Sequence, residues 1–463
     1  SGGPSLITHL AWGLLFTKLF GYSITALRFS ILSLGILGSV GIFLIVRSLM
    51  VPEKLAFIAA LSLMFNPLYF SQSFTFMSDI TFTSIIIFAV YFLNLGVKRS
   101  NTGLLVVGML FCLAGMLTRQ LAIALPTAFI LTSLLGLTGR ELSRTRPVGL
   151  TLALVIIPWL GFEVLMSWLG SSPITKHQKL YDLLNYPMMK GFPDYPLFVA
   201  GQFAQSVLGY TAFLVSPLLV IRLDEFRGSK PFRVFFVVTT LLFGLLEIAI
   251  VTGVATPPIL FSRNVIFNIG IGPVLLKDVY ILSIPRTWAL TPALFYILAW
   301  WTVICVGALL SMIFKFVMEM FRTWNSKDHH PDGFISALTL ITALMYAVII
   351  SLTDLHDRYI IPLCALMAVW LCSSAGYSAS RNISTRLALS ACAPLILTAV
   401  FSLTATRDFM EIRRTVQQAN HFIVTDLKVK PCEFDGGFEF NGYHCYSASR
   451  PVREGYSWWW VHD

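Results

Sequence analysis

A small set of charged side chains stands out in a sequence that otherwise has few of them. Asp79 precedes a long apolar run, Arg119 separates two apolar runs, and Asp354-Leu355-His356-Asp357-Arg358-Tyr359 precedes a third. Arginine pairs bidentately with phosphate oxygens, and carboxylates bind hard divalent cations such as Mg²⁺ or Mn²⁺. The pattern therefore predicts a site for a phosphate group, with or without a metal, at the ends of the apolar segments.

Each of these residues also has a purely structural interpretation. Asp79 could only cap its helix, because an acid at a helix N-terminus favours the helix dipole. Arg119 could be an interfacial arginine whose stem lies in lipid while its head reaches water. In the third cluster, Arg358 and His356 could contact a phosphate or a sugar while Asp357 orients the arginine, or the cluster could be a local ion pair at a helix end. The sequence leaves both interpretations open.

Other charged residues are weaker candidates for lining a substrate chamber, since most loop charges are solvated. They are Arg28, Lys176, Lys179 and Arg263.

The elements that position these residues follow from composition. Of 463 residues, 56% are hydrophobic and 12% are charged, and the mean hydropathy is +0.76. Soluble domains carry about 25% charged residues, so lipid must be the solvent for most of this chain. We predict an all-α polytopic membrane protein with about twelve transmembrane helices, and a surface helix over 5–20. The predicted spans are 24–47, 53–66, 79–97, 102–118, 120–137, 148–168, 196–221, 234–253, 289–314, 334–352, 359–377 and 387–403.

The connections between these spans alternate in charge. Six short ones hold sixteen Lys and Arg, and the remaining ones hold eight over far more residues. Basic connections lie in the cytoplasm, so Asp79, Arg119 and the 353–358 connection are predicted to lie at the outer face. This rule also accounts for the net charge of +10, and nucleic acid is not an expected partner.

The tail, 404–463, differs in composition from the rest. Turn signals and the alternating Phe438-Glu439-Phe440 predict a small extracytoplasmic α/β cap on a bundle formed by 1–403. In an oxidising compartment, Cys432 and Cys445 could form a disulfide. The other five cysteines lie in apolar segments and are predicted core residues, and no spacing indicates a zinc site.

Several of these motifs together resemble GT-C fold glycosyltransferases similar to the dolichyl-phosphate-mannose–protein mannosyltransferases. This is glycosyltransferase family 39, and the aminoarabinose transferase of lipid A is a relative. The motifs are Leu10–Phe20, Gly21-Tyr22-Ser23, Leu27-Arg28, Phe76-Met77-Ser78-Asp79, Leu117-Thr118-Arg119-Gln120, Asp357-Arg358-Tyr359-Ile360-Ile361-Pro362-Leu363 and Phe434-Asp435-Gly436-Gly437-Phe438-Glu439-Phe440-Asn441-Gly442.

The resemblance implies a polyprenyl-phosphate sugar donor, a lipid, glycan or protein acceptor, and catalysis on the outer face of a membrane, here a bacterial inner membrane. It also implies that residues 1–20 end a first outer loop whose upstream part carries the catalytic base, and that Asp79 lies near the phosphate or a metal. Two other classes stay open, a lipid or solute transporter and a polysaccharide polymerase or ligase. A transporter would show repeats and broken helices at mid-membrane.

Overall fold

Hydropathy and proline placement determine where the first helices begin and end. Helices α1 (Ile7–Phe20), α2 (Ile24–Ser48) and α3 (Glu53–Met64) are followed by the short α4 (Pro67–Ser73). The axes of α3 and α4 differ by 64°, because Pro67 cannot donate a backbone hydrogen bond to the preceding turn. The Asn66 side chain caps α4 by accepting from the backbone N–H of Leu68 and Tyr69.

The computed structural model describes residues 6–49, 51–137, 145–169, 185, 187, 191, 194–223, 230–253, 265–267, 270–272, 292–323, 332–352, 355–374 and 385–445.

The remaining elements continue the helical pattern. The first of them are α5 (Ser78–Lys98), α6 (Thr102–Met116), a 3-10 turn (Gln120–Ile123) and α7 (Ala124–Leu134). Two pairs of helices are then joined through π-helical segments, α8 (Thr145–Thr151) to α9 (Ile157–Trp168) and α10 (Asp194–Gly201) to α11 (Tyr210–Leu214). The others are α12 (Ser216–Arg222), α13 (Lys230–Gly253), α14 (Pro292–Thr323), α15 (Gly333–Ser351), a 3-10 turn (Asp357–Ile360), α16 (Ile361–Ser373), α17 (Thr385–Thr425), a 3-10 turn (Pro431–Glu433) and α18 (Phe438–His444). Two short antiparallel strands, β1 (Ile266–Phe267) and β2 (Gly270–Ile271), pair Ile266 with Ile271.

Helices occupy all twelve segments predicted as spans, which confirms an all-α polytopic membrane protein. Within the described ranges, seven helices are long and apolar enough to cross a membrane, or eight if α3 and α4 form one broken span. Shorter apolar helices, including α1 and α6, accompany them. The count of twelve crossings stays a prediction.

The core of the bundle is built around α5 and α16. Every residue of α16 is buried, and α5 is packed between α2 and α6. Small residues allow this close packing: a side chain at Gly108 would approach the backbone nitrogen of Leu93 to 3.0 Å. The hydroxyl of Tyr69 in α4 donates to the carbonyl of Gly35 in α2 at 2.7 Å.

Described residues of the basic connections lie at one end of the bundle. Lys98, at the end of α5, forms an ion pair with Asp332 at the start of α15, 2.7 Å apart. Arg222, at the end of α12, donates to the carbonyl of Leu371 near the end of α16 at 2.8 Å. Asp79 and Asp357 lie at the opposite ends of α5 and α16, so the bundle separates Lys98 and Arg222 from the predicted site.

The tail differs from the prediction in two respects. The proposed boundary at 403/404 falls inside α17, whose 41 residues extend about 60 Å, roughly twice the hydrocarbon thickness. The strand predicted at Phe438-Glu439-Phe440 is instead the start of α18. No strand lies in the described range 385–445 to pair with it, whereas a helix satisfies its own backbone.

Candidate active site

A buried ion pair lies where α5 begins and α6 ends. The Asp79 carboxylate and the Arg119 guanidinium are 2.9 Å apart, and the two residues are 1% and 8% exposed. Arg119 also donates from Nε and Nη2 to the hydroxyl of Ser78, at 3.2 and 3.0 Å. Since the head of Arg119 is buried, the interpretation as an interfacial arginine reaching water is wrong. Asp79 does more than favour the dipole of α5, because it neutralises this arginine.

Tyr359 brings the second predicted arginine to the same place. The guanidinium carbon of Arg119 lies 5.2 Å from the centre of the Tyr359 ring, and that of Arg358 lies 5.6 Å from it. Both distances are typical of cation–π contacts. The structure thus brings together Asp79, Arg119 and Arg358, which come from three different parts of the chain.

Asp357 has other partners than the one predicted for it. Its buried carboxylate accepts from the backbone N–H of Val265, Ile266 and Arg358 at 2.8–3.0 Å. It therefore anchors the β1–β2 hairpin to the start of α16, and the described contacts do not include an ion pair with the Arg358 guanidinium. The neighbouring His356 packs edge-on against Tyr359, with ring centres 5.4 Å apart.

His9 is a site residue that the sequence interpretation missed. It is 3% exposed, its Nδ1 lies 2.9 Å from the hydroxyl of Thr81, and its ring packs on Phe76 at 4.2 Å. Burial, and after it the charge of Arg119, lowers the pKa of His9 from 6.5 to about 4, against the raising effect of Asp79. A single histidine in an apolar helix has no distinguishing sequence signal.

Helix α1 carries His9 to this position through its first turn. The backbone N–H of Ile7 donates to the carbonyl of Leu117 at 3.0 Å, and the hydroxyl of Thr8 donates to the carbonyl of Ala114 at 2.9 Å. These bonds fix α1 to the end of α6, immediately before Arg119.

The weaker candidates are placed differently. Arg28 lies in α2, is partly exposed, and has no described contact with the Asp79–Arg119 pair. Lys176, Lys179 and Arg263 lie outside the described residues.

The role of Asp79 as a possible metal ligand stays a prediction. In the described parts of the chain, no group of three or more His, Cys, Asp and Glu side chains could hold a metal ion. The carboxylate of Asp79 is instead paired with a guanidinium cation, which repels a second cation.

The helices and this site together define a multi-pass integral membrane protein with a buried polar centre at one end of its bundle. Residues 6–162 match the family model of dolichyl-phosphate-mannose-protein mannosyltransferase. This match confirms the resemblance to GT-C glycosyltransferases over that part of the chain, and it supports membrane glycosyltransferase activity in general. The matched range contains His9, Asp79 and Arg119, whereas Arg358 lies beyond it. Neither the curated proteins nor the solved structures contain a significant match.

Proposed function

We propose that this protein transfers a sugar from a polyprenyl-phosphate donor to an acceptor on the extracytoplasmic face of a membrane, the inner membrane if the source is bacterial. The observation that carries the proposal is the convergence of Arg119 and Arg358 on Tyr359, beside the buried Asp79. Two guanidinium groups that meet at one aromatic ring, one buried and one half-buried, are suited to bind phosphate oxygens.

The two arginines have different roles in this proposal. Arg119 is held rigidly by Asp79 and Ser78, so it contributes a fixed positive charge. Arg358 has a buried Nε atom without a hydrogen-bond partner among the described residues, and the carboxylate of Asp357 is already occupied by three backbone N–H groups. The Arg358 guanidinium is therefore available to a ligand.

Stabilising a phosphate is what the reaction requires. The acceptor hydroxyl gives its proton to a base and its oxygen bonds to the anomeric carbon. The bond from that carbon to the phosphate oxygen breaks at the same time, and the polyprenyl phosphate leaves with added negative charge. Fixed cations near that oxygen stabilise the transition state more than the ground state. Arg119 and Arg358 would supply this stabilisation, and Asp79 would keep Arg119 in place.

The outward orientation has two supports. Lys98 and Arg222, which belong to two of the basic connections, lie at the opposite end of the bundle, and basic connections lie in the cytoplasm. Cys432 and Cys445, beyond the protruding end of α17, are joined in a disulfide with a Cα–Cα distance of 5.5 Å, and such bonds persist in oxidising compartments. An outward site suits a lipid-linked donor, because nucleotide sugars stay in the cytoplasm.

The test is a transfer assay with the full-length protein reconstituted in lipid. Donors would be a panel of polyprenyl-phosphate sugars and the corresponding nucleotide sugars, with membrane lipids, glycans and peptides as acceptors. We expect transfer only from lipid-linked donors, and a loss of at least about a hundredfold in kcat/KM for Arg358→Ala, since two charge-assisted contacts are removed.

The matched control is Lys98→Ala, which removes a cation at the other end of the bundle and should leave transfer unchanged. Transfer from nucleotide sugars alone, or full activity of Arg358→Ala, would reject the proposal.

A further inference from the structure

A buried tyrosine lies beside the ion pair of Asp79 and Arg119. Tyr346 belongs to α15 and is 2% exposed. Its ring stacks on Phe82 of α5 with centres 6.1 Å apart, one turn after Asp79. It lies within electrostatic reach of Arg119, Asp79 and Tyr359.

The hydroxyl of Tyr346 has no hydrogen-bond partner among the residues that the structure describes. Buried hydroxyl groups are normally bonded, because an unbonded one forfeits its interaction with water and gains nothing in return. Tyr69 shows the usual arrangement in this same bundle, since its buried hydroxyl donates to the carbonyl of Gly35 at 2.7 Å.

A second buried donor without a described partner lies beside Tyr359. The Nε of Arg358 is also buried without a partner among the described residues, and a guanidinium N–H can only donate. The Asp79 carboxylate, which lies within electrostatic reach of Tyr346, forms an ion pair with Arg119 at 2.9 Å, although its Oδ2 accepts no well-aligned hydrogen bond from the described residues. The hydroxyl of Tyr346 and the Nε of Arg358 are thus two donors without a partner near Tyr359 and Arg119. They indicate a ligand rich in hydrogen-bond acceptors.

We propose that the hydroxyl of Tyr346 donates a hydrogen bond to a phosphate oxygen of the donor lipid, alongside Arg358. This assignment rests on the proposed function and adds a binding residue to it. It also specifies how deeply the phosphate is bound below the end of α15. Tyr346 precedes the end of α15 at Ser351 by more than one helical turn, which places its Cα about 8 Å inside that end at the usual rise per residue. The phosphate is therefore bound between the helices and not above them.

The experiment compares two tyrosine variants by thermal unfolding of the purified full chain in detergent, with and without a polyprenyl monophosphate. Tyr346→Phe should unfold at the wild-type temperature or above it, since it deletes a hydroxyl without a partner. Its affinity for polyprenyl monophosphate should fall about tenfold, the loss expected for one hydrogen bond to a charged group.

Tyr69→Phe is the matched control. It removes a hydroxyl that is bonded to the carbonyl of Gly35 in α2 and has no described contact with Asp79, Arg119 or Arg358. It should therefore lower the unfolding temperature and leave the affinity for polyprenyl monophosphate unchanged. Tyr346→Phe should thus lose affinity but not stability, and Tyr69→Phe should lose stability but not affinity.

The outcomes distinguish this inference from the function on which it rests. Equal affinity of wild type and Tyr346→Phe would overturn the role of Tyr346 alone. So would a loss of stability in Tyr346→Phe as large as that of Tyr69→Phe, because the hydroxyl would then have a partner within the protein. Failure of the wild type to bind polyprenyl monophosphate would overturn the proposed function as well.

Discussion

Asp79 in the first turn of α5 and Arg119 after the end of α6 are held 2.9 Å apart with almost no exposure to solvent. Removing one partner of such a buried pair leaves an uncompensated charge and costs about 3–5 kcal/mol. We expect Asp79→Asn to destabilise the protein by this order in chemical denaturation, and to reduce transfer sharply.

The double variant Asp79→Asn/Arg119→Gln tests whether this cost comes from the pair. It should be less destabilised than the sum of the two single variants. Asp332→Asn, which breaks the more exposed pair with Lys98, is the control and should cost about 1 kcal/mol or less. Additive effects at Asp79 and Arg119 would contradict coupling between them.

The pKa of His9 makes stability depend on pH. Because the folded-state pKa, about 4, lies below the usual 6.5, the unfolded chain binds the proton first as pH falls. Stability that is complete above pH 6.5 should therefore decline between about 6.5 and 4 and then level off. His9→Gln, which keeps a polar group near Thr81, should lose this part of the pH dependence. If the stability of that variant still declines between about pH 6.5 and 4, His9 is not the cause of the decline.

The anchoring role of Asp357 predicts a local effect. Asp357→Ala removes the acceptor for three backbone N–H groups, so the hairpin at 265–272 should lose its attachment to the start of α16. We expect faster proteolysis or hydrogen exchange in this hairpin and weaker donor binding, since Arg358 is the next residue. Glu411→Gln, which changes an exposed carboxylate on α17, should have neither effect. Unaltered exchange at Val265 and Ile266 would contradict the anchor.

Membrane topology can be tested with single cysteines in a background from which the native cysteines are removed. The connections at 98–102, 138–147, 222–233 and 315–333 are predicted to be cytoplasmic. Arg99→Cys and Arg322→Cys should resist a membrane-impermeant thiol reagent in intact cells, whereas Gln417→Cys on the protruding part of α17 should react. Labelling in the reverse pattern would show that the protein has the opposite orientation in the membrane.

The disulfide between Cys432 and Cys445 closes a loop across a separation of 13 residues. Loops of that size gain about 3 kcal/mol from the constraint on the unfolded chain. Reduction should therefore loosen the segment after α17, detected as faster exchange at Gly436 and Asn441, while transfer by the bundle persists. If both thiols titrate as free in unreduced protein, the disulfide between Cys432 and Cys445 is absent.

The sequence predicted the membrane class and the position of nearly every helix, because a bilayer imposes a requirement that is local in the chain. About twenty consecutive apolar residues suffice to identify a span, whereas the short α4 lies in a segment predicted as a connection between two spans. The sequence also singled out Asp79, Arg119 and Arg358, which the structure brings together, because a charge at a span end is costly unless it is used. The tail was predicted less well, because Phe438-Glu439-Phe440 alternates like a strand but has no described strand to pair with.

What lies opposite each charged group was decided only by the tertiary structure. Asp357 was predicted to orient Arg358, yet it holds the backbone of Val265 and Ile266. His9 and Tyr346 gave no signal at all, although both border the ion pair. The physical reason is that successive residues of a helix are turned by about 100°, so the rotation and tilt of packed helices determine which side chains meet. Those quantities depend on contacts such as that of Gly108 with α5, which no single segment of the sequence contains.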